Sequence, residues 1–264
     1  MQAMLRSLWQ YRHFLLSSIH NELRLRFVRN KLGALWMIIN PLTQVLLYTL
    51  VLSHILAAKL PGVEFQYAYA IYLMSGLLAW NLFSDIISGC SRLFIDQGNL
   101  MKKMNFPRVT LPCILVGTAV VNNALLLLAM LVVFLTLGHW PGFAIFWLVP
   151  VMALVVILSL GIGLILGILN VFVRDIGQLI PLGLQIMFWF TPIIYPETII
   201  PENYRPLLKL NPLYTLTQGY QDVLVYGKMP NFEQMGSIVI LAIGMLFMSL
   251  VMFRKASKEM VDVL

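Results

Sequence analysis

Long apolar runs alternate with short polar connections along most of the chain. Six runs come close to or exceed the about 20 residues that a helix needs to cross a bilayer: 32–57, 68–90, 113–137, 143–170, 179–195 and 235–253. The third and fourth runs are joined only by Gly138 to Gly142, which makes them antiparallel neighbours. The fifth is short and carries Pro181 and Pro192, so we expect it to be bent or broken. The pattern predicts an all-α, polytopic membrane protein with six transmembrane helices in residues 32–253.

The segment before the first run, residues 1–31, predicts a helix that lies on the membrane surface. Its apolar positions recur at three-, four- and seven-residue steps, at Leu5, Leu8, Leu15, Ile19, Leu23 and Phe27. Its polar positions fall largely on other faces, at Arg6, Gln10, His13, Ser17 and Asn21. This pattern is typical of an amphipathic helix in the interface plane. The segment is too long and too basic to be a cleavable signal peptide, and we expect it to be retained.

The composition excludes a soluble domain. Of the 264 residues, 60% are apolar and 11% are charged, and the mean hydropathy is +0.85, whereas a soluble domain has about a quarter of its residues charged. The two cysteines, Cys90 and Cys113, are too few for a disulfide framework and have no metal-ligand partner at a useful spacing. The sequence also contains no Gly-x-x-x-x-Gly-Lys-Ser/Thr loop, so it cannot hold ATP phosphates by that mechanism.

Positive charge is concentrated on one side of the predicted membrane domain. Fourteen of the 18 lysines and arginines fall in residues 1–31, in the loops after the second and fourth runs, and in the tail, residues 254–264. By the positive-inside rule both termini are therefore cytoplasmic. Because the net charge of +7 follows this topology, it does not indicate a nucleic-acid partner.

Polar side chains lie inside four of the predicted spans, where they are costly. They form strips along these spans: Asn40, Thr43, Gln44 and Tyr48; Asn81, Ser84, Asp85 and Ser88; Thr118, Asn122 and Asn123; Gln185 and Trp189. For any single amide, a hydrogen bond between helices is the simpler interpretation. Taken together, the four strips favour a hydrated path for a polar substrate. Gly163 and Gly167 in the fourth span indicate close helix packing and no chemistry.

Aromatic side chains cluster near the predicted outer boundary of the membrane. The set is Tyr67, Tyr69, Tyr72, Trp140, Trp147 and Tyr195. For most of them an aromatic belt at the interface is the default interpretation. Stacking on sugar rings is the alternative use of the same side chains.

Short motifs follow one another in order over residues 20–253. The first group is Asn40-Pro41, Gly76-Leu77 with Trp80 and Phe83, Leu100-x-Lys102-Lys103, Phe106-Pro107-Arg108 and Leu111-Pro112. The second group is Asn170-x-x-x-Arg174-Asp175, Thr191-Pro192-Ile193-Ile194-Tyr195, Pro201 and Asn211-Pro212-Leu213. In this order they resemble the membrane subunits of ABC exporters for polysaccharides, which include O-antigen, capsule and teichoic-acid permeases. The intact Arg-Asp loop and Pro-Ile-Ile-Tyr run make the O-antigen permeases the nearest resemblance.

This resemblance implies a homodimer in the bacterial inner membrane, working with two copies of a separate ABC ATPase. ATP and Mg would bind to that partner, and this chain would bind no cofactor. The implied cargo is a polysaccharide on undecaprenyl diphosphate. The resemblance also implies short re-entrant outer helices within residues 196–234 and ATPase contacts in residues 95–108 and 174–178. The coupling candidates there are Asp96, Asn99, Lys102, Lys103, Arg108, Arg174 and Asp175.

A hydrated glycan too large for an alternating pocket requires a continuous channel lined by amides and aromatic rings. The expected lining is Asn40, Gln44, Tyr48, Trp80, Asn81, Asp85, Asn122, Gln185 and Trp189. The pyrophosphate would meet cations before the first span, and the same cations equally suit anionic membrane lipids: Arg24, Arg26, Arg29 and Lys31.

Two other classes of protein fit the sequence less well. An ATP-independent secondary transporter is disfavoured because Asp85 is the only acid in a predicted span. A membrane enzyme acting on lipid-linked sugars would need clustered carboxylates, and the nearest pair, Glu197 and Glu202, flanks proline-rich turns. A capsule or teichoic-acid export permease stays an alternative within the family.

Overall fold

The computed structural model describes residues 9–28, 39, 43, 67–98, 102, 108–257 and 259–263. Its regular elements are all helical, which confirms the all-α prediction. The α-helices are α1 Arg12–Val28, α2 Ala68–Asp96, α3 Thr110–Thr136, α4 Leu148–Phe172, α5 Ile176–Trp189, α6 Arg205–Leu208, α7 Pro212–Leu224, α8 Phe232–Ala256 and α9 Glu259–Val263. Short 3-10 helices lie at Gly142–Trp147, Glu197–Ile199 and Glu202–Tyr204.

Within this described part of the chain, 4 helices are long and apolar enough to cross a membrane. They are α2, α3, α8, and α4 together with the 3-10 helix that precedes it. These helices lie where the second, third, sixth and fourth apolar runs were found, and their ends differ from those runs by a few residues. The first run, residues 32–57, lies outside the described residues except for Ile39 and Thr43.

The fifth run forms a shorter helix than its predicted limits. Helix α5 has 14 residues, continues through Pro181 and ends at Trp189. A buried turn follows, in which the Thr191 hydroxyl donates to the Met187 carbonyl at 2.8 Å. The Ile193 N–H donates back to the Thr191 carbonyl at 2.7 Å. Pro192 has no N–H with which to continue the helix, which explains why the chain turns here.

Helix α2 forms the centre of the bundle and contacts α3, α4, α5 and α7. Small residues bring α4 close to it, as the glycine spacing predicted. A Cβ on Gly163 would lie 2.9 Å from the Cβ of Cys90, and a Cβ on Gly167 would overlap the Cys90 carbonyl oxygen. Gly161 allows a similar approach of α8, because a Cβ there would lie 2.7 Å from the backbone nitrogen of Leu246.

The outer surfaces of α3 and α8 are apolar. Large exposed side chains recur at helical spacing, at Leu125, Leu128, Val132 and Leu135 in α3 and at Ile240, Ile243, Phe247 and Val251 in α8. In water such continuous apolar faces would be an aggregation hazard, whereas in a bilayer they meet lipid tails. Together with the four long apolar helices, they identify a multi-pass membrane protein.

The turn after α5 is held by side chains from two other helices. The Tyr69 hydroxyl donates to the Ile194 carbonyl at 2.6 Å, and the Tyr72 hydroxyl donates to the Pro192 carbonyl at 3.0 Å. Gln221 of α7 donates to the same Pro192 carbonyl at 3.1 Å. Since Tyr69 and Tyr72 are each only 5% exposed, the prediction that they join an aromatic belt is wrong. Non-helical carbonyls buried inside a membrane protein need donors from the protein itself.

Candidate functional site

A polar cleft of about 310 Å³ opens between α1, α2 and α3. One of its lining residues belongs to α1, and most of the others belong to the C-terminal half of α2 and the first half of α3. Its lining residues are Glu22, Asp85, Ser88, Gly89, Arg92, Leu93, Asp96, Gln97, Leu115, Thr118, Ala119 and Asn122. The term polar cleft refers to this set below.

Helical spacing explains the α2 side of the polar cleft. Asp85, Ser88, Arg92 and Asp96 are three or four residues apart, so their side chains share one face of the helix. This arrangement agrees with the strip that the sequence predicted to run toward Arg92. Three carboxylates and one guanidinium line the cleft. In the part of the chain that the structure describes, no three His, Cys, Asp or Glu side chains converge on a metal-binding position.

Helix α1 closes the cleft by packing along α3. Its half-buried face carries Leu15, Ile19 and Leu23, and Ile19 packs directly against Gly117. Beside this contact the Thr118 hydroxyl donates to the Glu22 carboxylate at 3.4 Å. Part of the apolar stripe predicted for a membrane-surface helix therefore contacts another helix of the protein.

Two neighbouring asparagines of α3 have different environments. Asn123 is buried and donates its amide hydrogen to the Leu78 carbonyl of α2 at 2.9 Å, which is the hydrogen bond between helices expected for a single amide. Asn122 lines the polar cleft, and its buried Oδ1, like that of Asn123, accepts no hydrogen bond from the described residues. The structure thus assigns a packing contact to Asn123 and leaves Asn122 available to a polar group in the cleft.

The opposite face of α2 is tied to the short connection between α4 and α5, residues 173–175, which we name the α4–α5 turn. Asn170, only 3% exposed, donates from Nδ2 to the Ser91 carbonyl of α2 at 2.7 Å. Its Oδ1 accepts the backbone N–H of Gly177, in the first turn of α5, at 2.8 Å. Asn170 begins the Asn170-x-x-x-Arg174-Asp175 motif of the sequence, and its spacing alone indicated no role for it. On the turn itself, Arg174 and Asp175 are exposed.

The other coupling candidates lie at separate positions. Asp96 ends α2 in the polar cleft, and Lys102 is exposed. Arg108 donates from Nη1 to the hydroxyl of Ser257 at 2.7 Å and to the Ser257 carbonyl. This contact ties the start of α3 to the end of α8. Asn99 and Lys103 lie outside the described residues.

The predicted channel-lining residues are brought together only in part. Asp85 and Asn122 share the polar cleft. Trp80 is 9% exposed and packs on Phe188 of α5, with ring centroids 5.2 Å apart. Asn81 is half-buried, and Gln185 and Trp189 are exposed on α5.

The remaining candidates are in the N-terminal part of the chain. Arg24 is exposed on α1, and the backbone of Arg26 belongs to the same helix. The side chain of Arg26 lies outside the described residues, as do Arg29, Lys31, Asn40, Gln44 and Tyr48. Their roles stay predictions.

On the predicted outer side, Glu197 and Glu202 have separate partners. The Tyr214 hydroxyl donates to the Glu197 carboxylate at 2.7 Å, and Gln218 donates to the same oxygen at 3.1 Å. Burial, together with the neighbouring Glu197 carboxylate, raises the pKa of Tyr214, so this hydroxyl stays a neutral donor. Glu202 instead pairs with Arg205 at 3.7 Å. The two carboxylates therefore do not form the cluster that a membrane enzyme would need.

Comparisons with known proteins cover both the polar cleft and the α4–α5 turn. The sequence model of the ABC-2 type transporter family matches residues 15–225. The chain is 31% identical over 265 residues to the O-antigen export system permease protein RfbA of Myxococcus xanthus, which covers 99% of both chains. It is 28% identical over 246 residues to the protein of the same name from Klebsiella pneumoniae, covering 93% of this chain and 92% of the relative. It is 24% identical over 240 residues to the polysialic acid transport protein KpsM of Escherichia coli, covering 90% and 92%.

Proposed function

Because this chain belongs to the ABC-2 type transporter family, we propose that it is the permease subunit of an ATP-driven exporter of lipid-linked O-antigen polysaccharide. The observation that carries the proposal is the similarity to an O-antigen export permease, at 31% identity across 99% of both chains. Similarity along the whole chain supports a similar arrangement of spans and loops, and the higher identity supports a similar cargo.

The energy source in this proposal is a separate ABC ATPase, present in two copies, which binds ATP and Mg. Support comes from the α4–α5 turn, where Arg174 and Asp175 are exposed at the ends of two apolar helices. Lys102 is a third exposed charge in a predicted cytoplasmic loop. Charged side chains on a turn held in place by Asn170 provide a surface on which a soluble partner can exert force.

The transport path in this proposal is a continuous channel formed by a homodimer. Hydroxyl-rich sugar rings need hydrogen-bond donors and acceptors along their whole route, and Asp85 and Asn122 in the polar cleft supply both kinds of group. Gln185 and Trp189 are exposed on α5, where they would face the path or the second subunit. Arg24 is exposed on α1, and in this proposal it meets the pyrophosphate of the lipid carrier.

The membrane in this proposal is the bacterial inner membrane, with both termini in the cytoplasm. The support is the distribution of charge, because the α4–α5 turn and the C-terminal end of α8 carry Arg174, Arg254 and Lys255. Cytoplasmic loops of membrane proteins are enriched in lysine and arginine.

A capsule polysaccharide is the second candidate cargo. The similarity to KpsM, at 24% identity over 240 residues, favours it. The O-antigen assignment rests on the higher identity to the two O-antigen permeases, 31% and 28%.

The test is to purify the tagged chain in mild detergent from its native cell and to identify the proteins that remain bound. We expect a P-loop ATPase in about equal amount and a complex with two copies of each chain. Deleting the gene should remove one polysaccharide from the cell surface and leave it inside, and the identity of that polymer distinguishes O-antigen from capsule. Vesicles that contain this chain alone and move solute along an ion gradient would overturn the proposal.

A further inference from the structure

We propose that Asn170 is the positioning residue that carries movement of the α4–α5 turn to α2, and through α2 to the polar cleft. The inference rests on the proposed function, because it takes the partner ATPase to act on Arg174 and Asp175. It goes further by naming the contact through which that action reaches the transport path.

The Asn170 amide bonds to two different segments of the protein. An asparagine side chain offers both donors and acceptors, and Asn170 uses both kinds on different segments. Nδ2 donates to the Ser91 carbonyl at 2.7 Å, and Oδ1 accepts from the Gly177 N–H at 2.8 Å. One buried side chain on α4 therefore links the C-terminal part of α2 to the first turn of α5.

The contacts around the Asn170 amide are tight. A Cβ on Gly177 would lie only 2.9 Å from Oδ1 of Asn170, so the start of α5 touches the amide directly. Three and seven residues before Asn170, Gly167 and Gly163 press against Cys90. Because neither contact leaves space for an extra methyl group, the Cys90–Ser91 segment must follow any displacement of α4 and the turn.

The hydrogen bond between Asn170 and Ser91 lies close to the residues of α2 that line the polar cleft. Ser91 is buried on the α4 side of α2, and the next residue, Arg92, lines the polar cleft on the opposite side. An α-helix is stiff over one turn, with a rise of about 1.5 Å per residue. Displacing the Ser91 carbonyl therefore displaces Arg92, Ser88 and Asp96 relative to α3.

The other predicted ATPase contact, residues 95–108, begins with the last two residues of α2 and is therefore covalently continuous with it. Its last residue, Arg108, bonds to Ser257 at the end of α8. The α4–α5 turn is distant from α2 in sequence, so its movement reaches α2 through packing contacts such as that of Asn170.

The test compares Asn170→Ala with Asn123→Ala in the complete complex with the partner ATPase. Both substitutions remove a buried amide that bonds a carbonyl of α2, but only Asn170 also bonds Gly177, in the first turn of α5 directly after the α4–α5 turn. ATP hydrolysis is measured on the purified complex in nanodiscs, and export is measured as the cell's own polysaccharide at the surface per assembled complex. We expect Asn170→Ala to keep ATP hydrolysis within about twofold and to lower export per ATP at least tenfold. Asn123→Ala should keep the wild-type ratio.

Hydrogen exchange and a double variant sharpen the result. The Gly177 amide should exchange slowly in the wild type and rapidly in Asn170→Ala, because its acceptor is removed. Gly177→Ala should uncouple export to a similar extent, since its Cβ displaces the Asn170 amide. The double variant should be no worse than Asn170→Ala alone. If Asn170→Ala does not accumulate, Gly177→Ala and its hydrogen exchange carry the test.

Two results would overturn the inference. One is an Asn170→Ala complex that exports as much polysaccharide per ATP as the wild type. The other is a full additive loss in the double variant, which would mean that the two residues act independently. Both differ from failure of the proposed function, which would appear as a wild-type chain that binds no ATPase or exports no polysaccharide.

Discussion

The two faces of the C-terminal half of α2 differ in almost every physical respect. One face, with Ile87, Cys90, Ser91 and Phe94, is buried, mainly against α4. The other face, with Asp85, Ser88, Arg92 and Asp96, opens into the polar cleft. Because α2 is packed tightly on the side of α4, a displacement of α4 moves α2. That movement changes the shape of the polar cleft on the other side of α2.

The two faces also differ in the hydrogen bonds made by the polar side chains of the helices that lie against them. On the packed face, glycines allow backbone contact, and Asn170 has a hydrogen-bond partner at both its Nδ2 and its Oδ1. Across the polar cleft, the Oδ1 of Asn122 is buried and accepts no hydrogen bond from the described residues. Leaving a buried acceptor unpaired costs about 1–3 kcal/mol. Such a cost is expected where a polar ligand or water supplies the missing partner.

The largest effect should come from breaking the packed face with Gly167→Leu. A side chain there meets the Cys90 carbonyl oxygen, and helix backbones cannot move apart without losing the whole α2–α4 contact. Overpacking a well-packed core costs about 1–3 kcal/mol or more. We expect little or no assembled protein, measured by fluorescence-detected gel filtration and by thermal unfolding in detergent.

Gly244→Leu is the matched control for that substitution. It places the same side chain on α8, where no atom of the described residues lies within 4 Å of a new Cβ. The yield and the melting temperature should stay at wild-type values. A Gly167→Leu protein that accumulates and melts like the control would show that the α2–α4 contact is looser than described.

The next effect concerns the turn that the packed face positions. Arg174→Ala and Asp175→Ala should each abolish export while leaving assembly intact, because both side chains are exposed and support no packing. Export is read from surface polysaccharide, and assembly from the amount of ATPase that copurifies. Lys209→Ala removes an exposed charge on the predicted outer side and should change neither quantity. Export by either turn variant at the unmutated rate would remove the turn from the mechanism.

The smallest effects should separate the adjacent asparagines of α3. Asn123→Ala removes the bond to Leu78 and should lower the free energy of unfolding by about 0.6–2 kcal/mol without changing export. Asn122→Ala removes a buried acceptor that has no partner among the described residues, so it should leave the free energy of unfolding unchanged or raise it by up to about 1–3 kcal/mol. It should nevertheless lower export severalfold, because the polar cleft loses a hydrogen-bonding group. The free energy of unfolding is measured in detergent, and export is measured as surface polysaccharide. If Asn123→Ala lowers export and Asn122→Ala lowers only stability, the roles assigned to the two residues are exchanged.

Much of the architecture could be predicted from local patterns. The apolar runs that became α2, α3, α4 and α8 are long and continuous, and the requirement to span a bilayer depends on each run alone. The spacing of Gly163 and Gly167 likewise indicated close packing before the partner helix was known. The ordered motifs pointed to the family that the comparisons then showed.

The tertiary structure decided which partner each polar or aromatic side chain meets. Tyr69 and Tyr72 looked like belt residues, yet they bond to carbonyls about 120 positions later in the chain. Asn122 and Asn123 are indistinguishable by composition, and only the packing of α3 on α2 places one in the polar cleft and bonds the other to Leu78. Asn170 likewise acquires its role from Ser91, 79 residues away. Periodicity determines which residues share a face of a helix, but the neighbour of that face depends on the packing of helices distant in sequence.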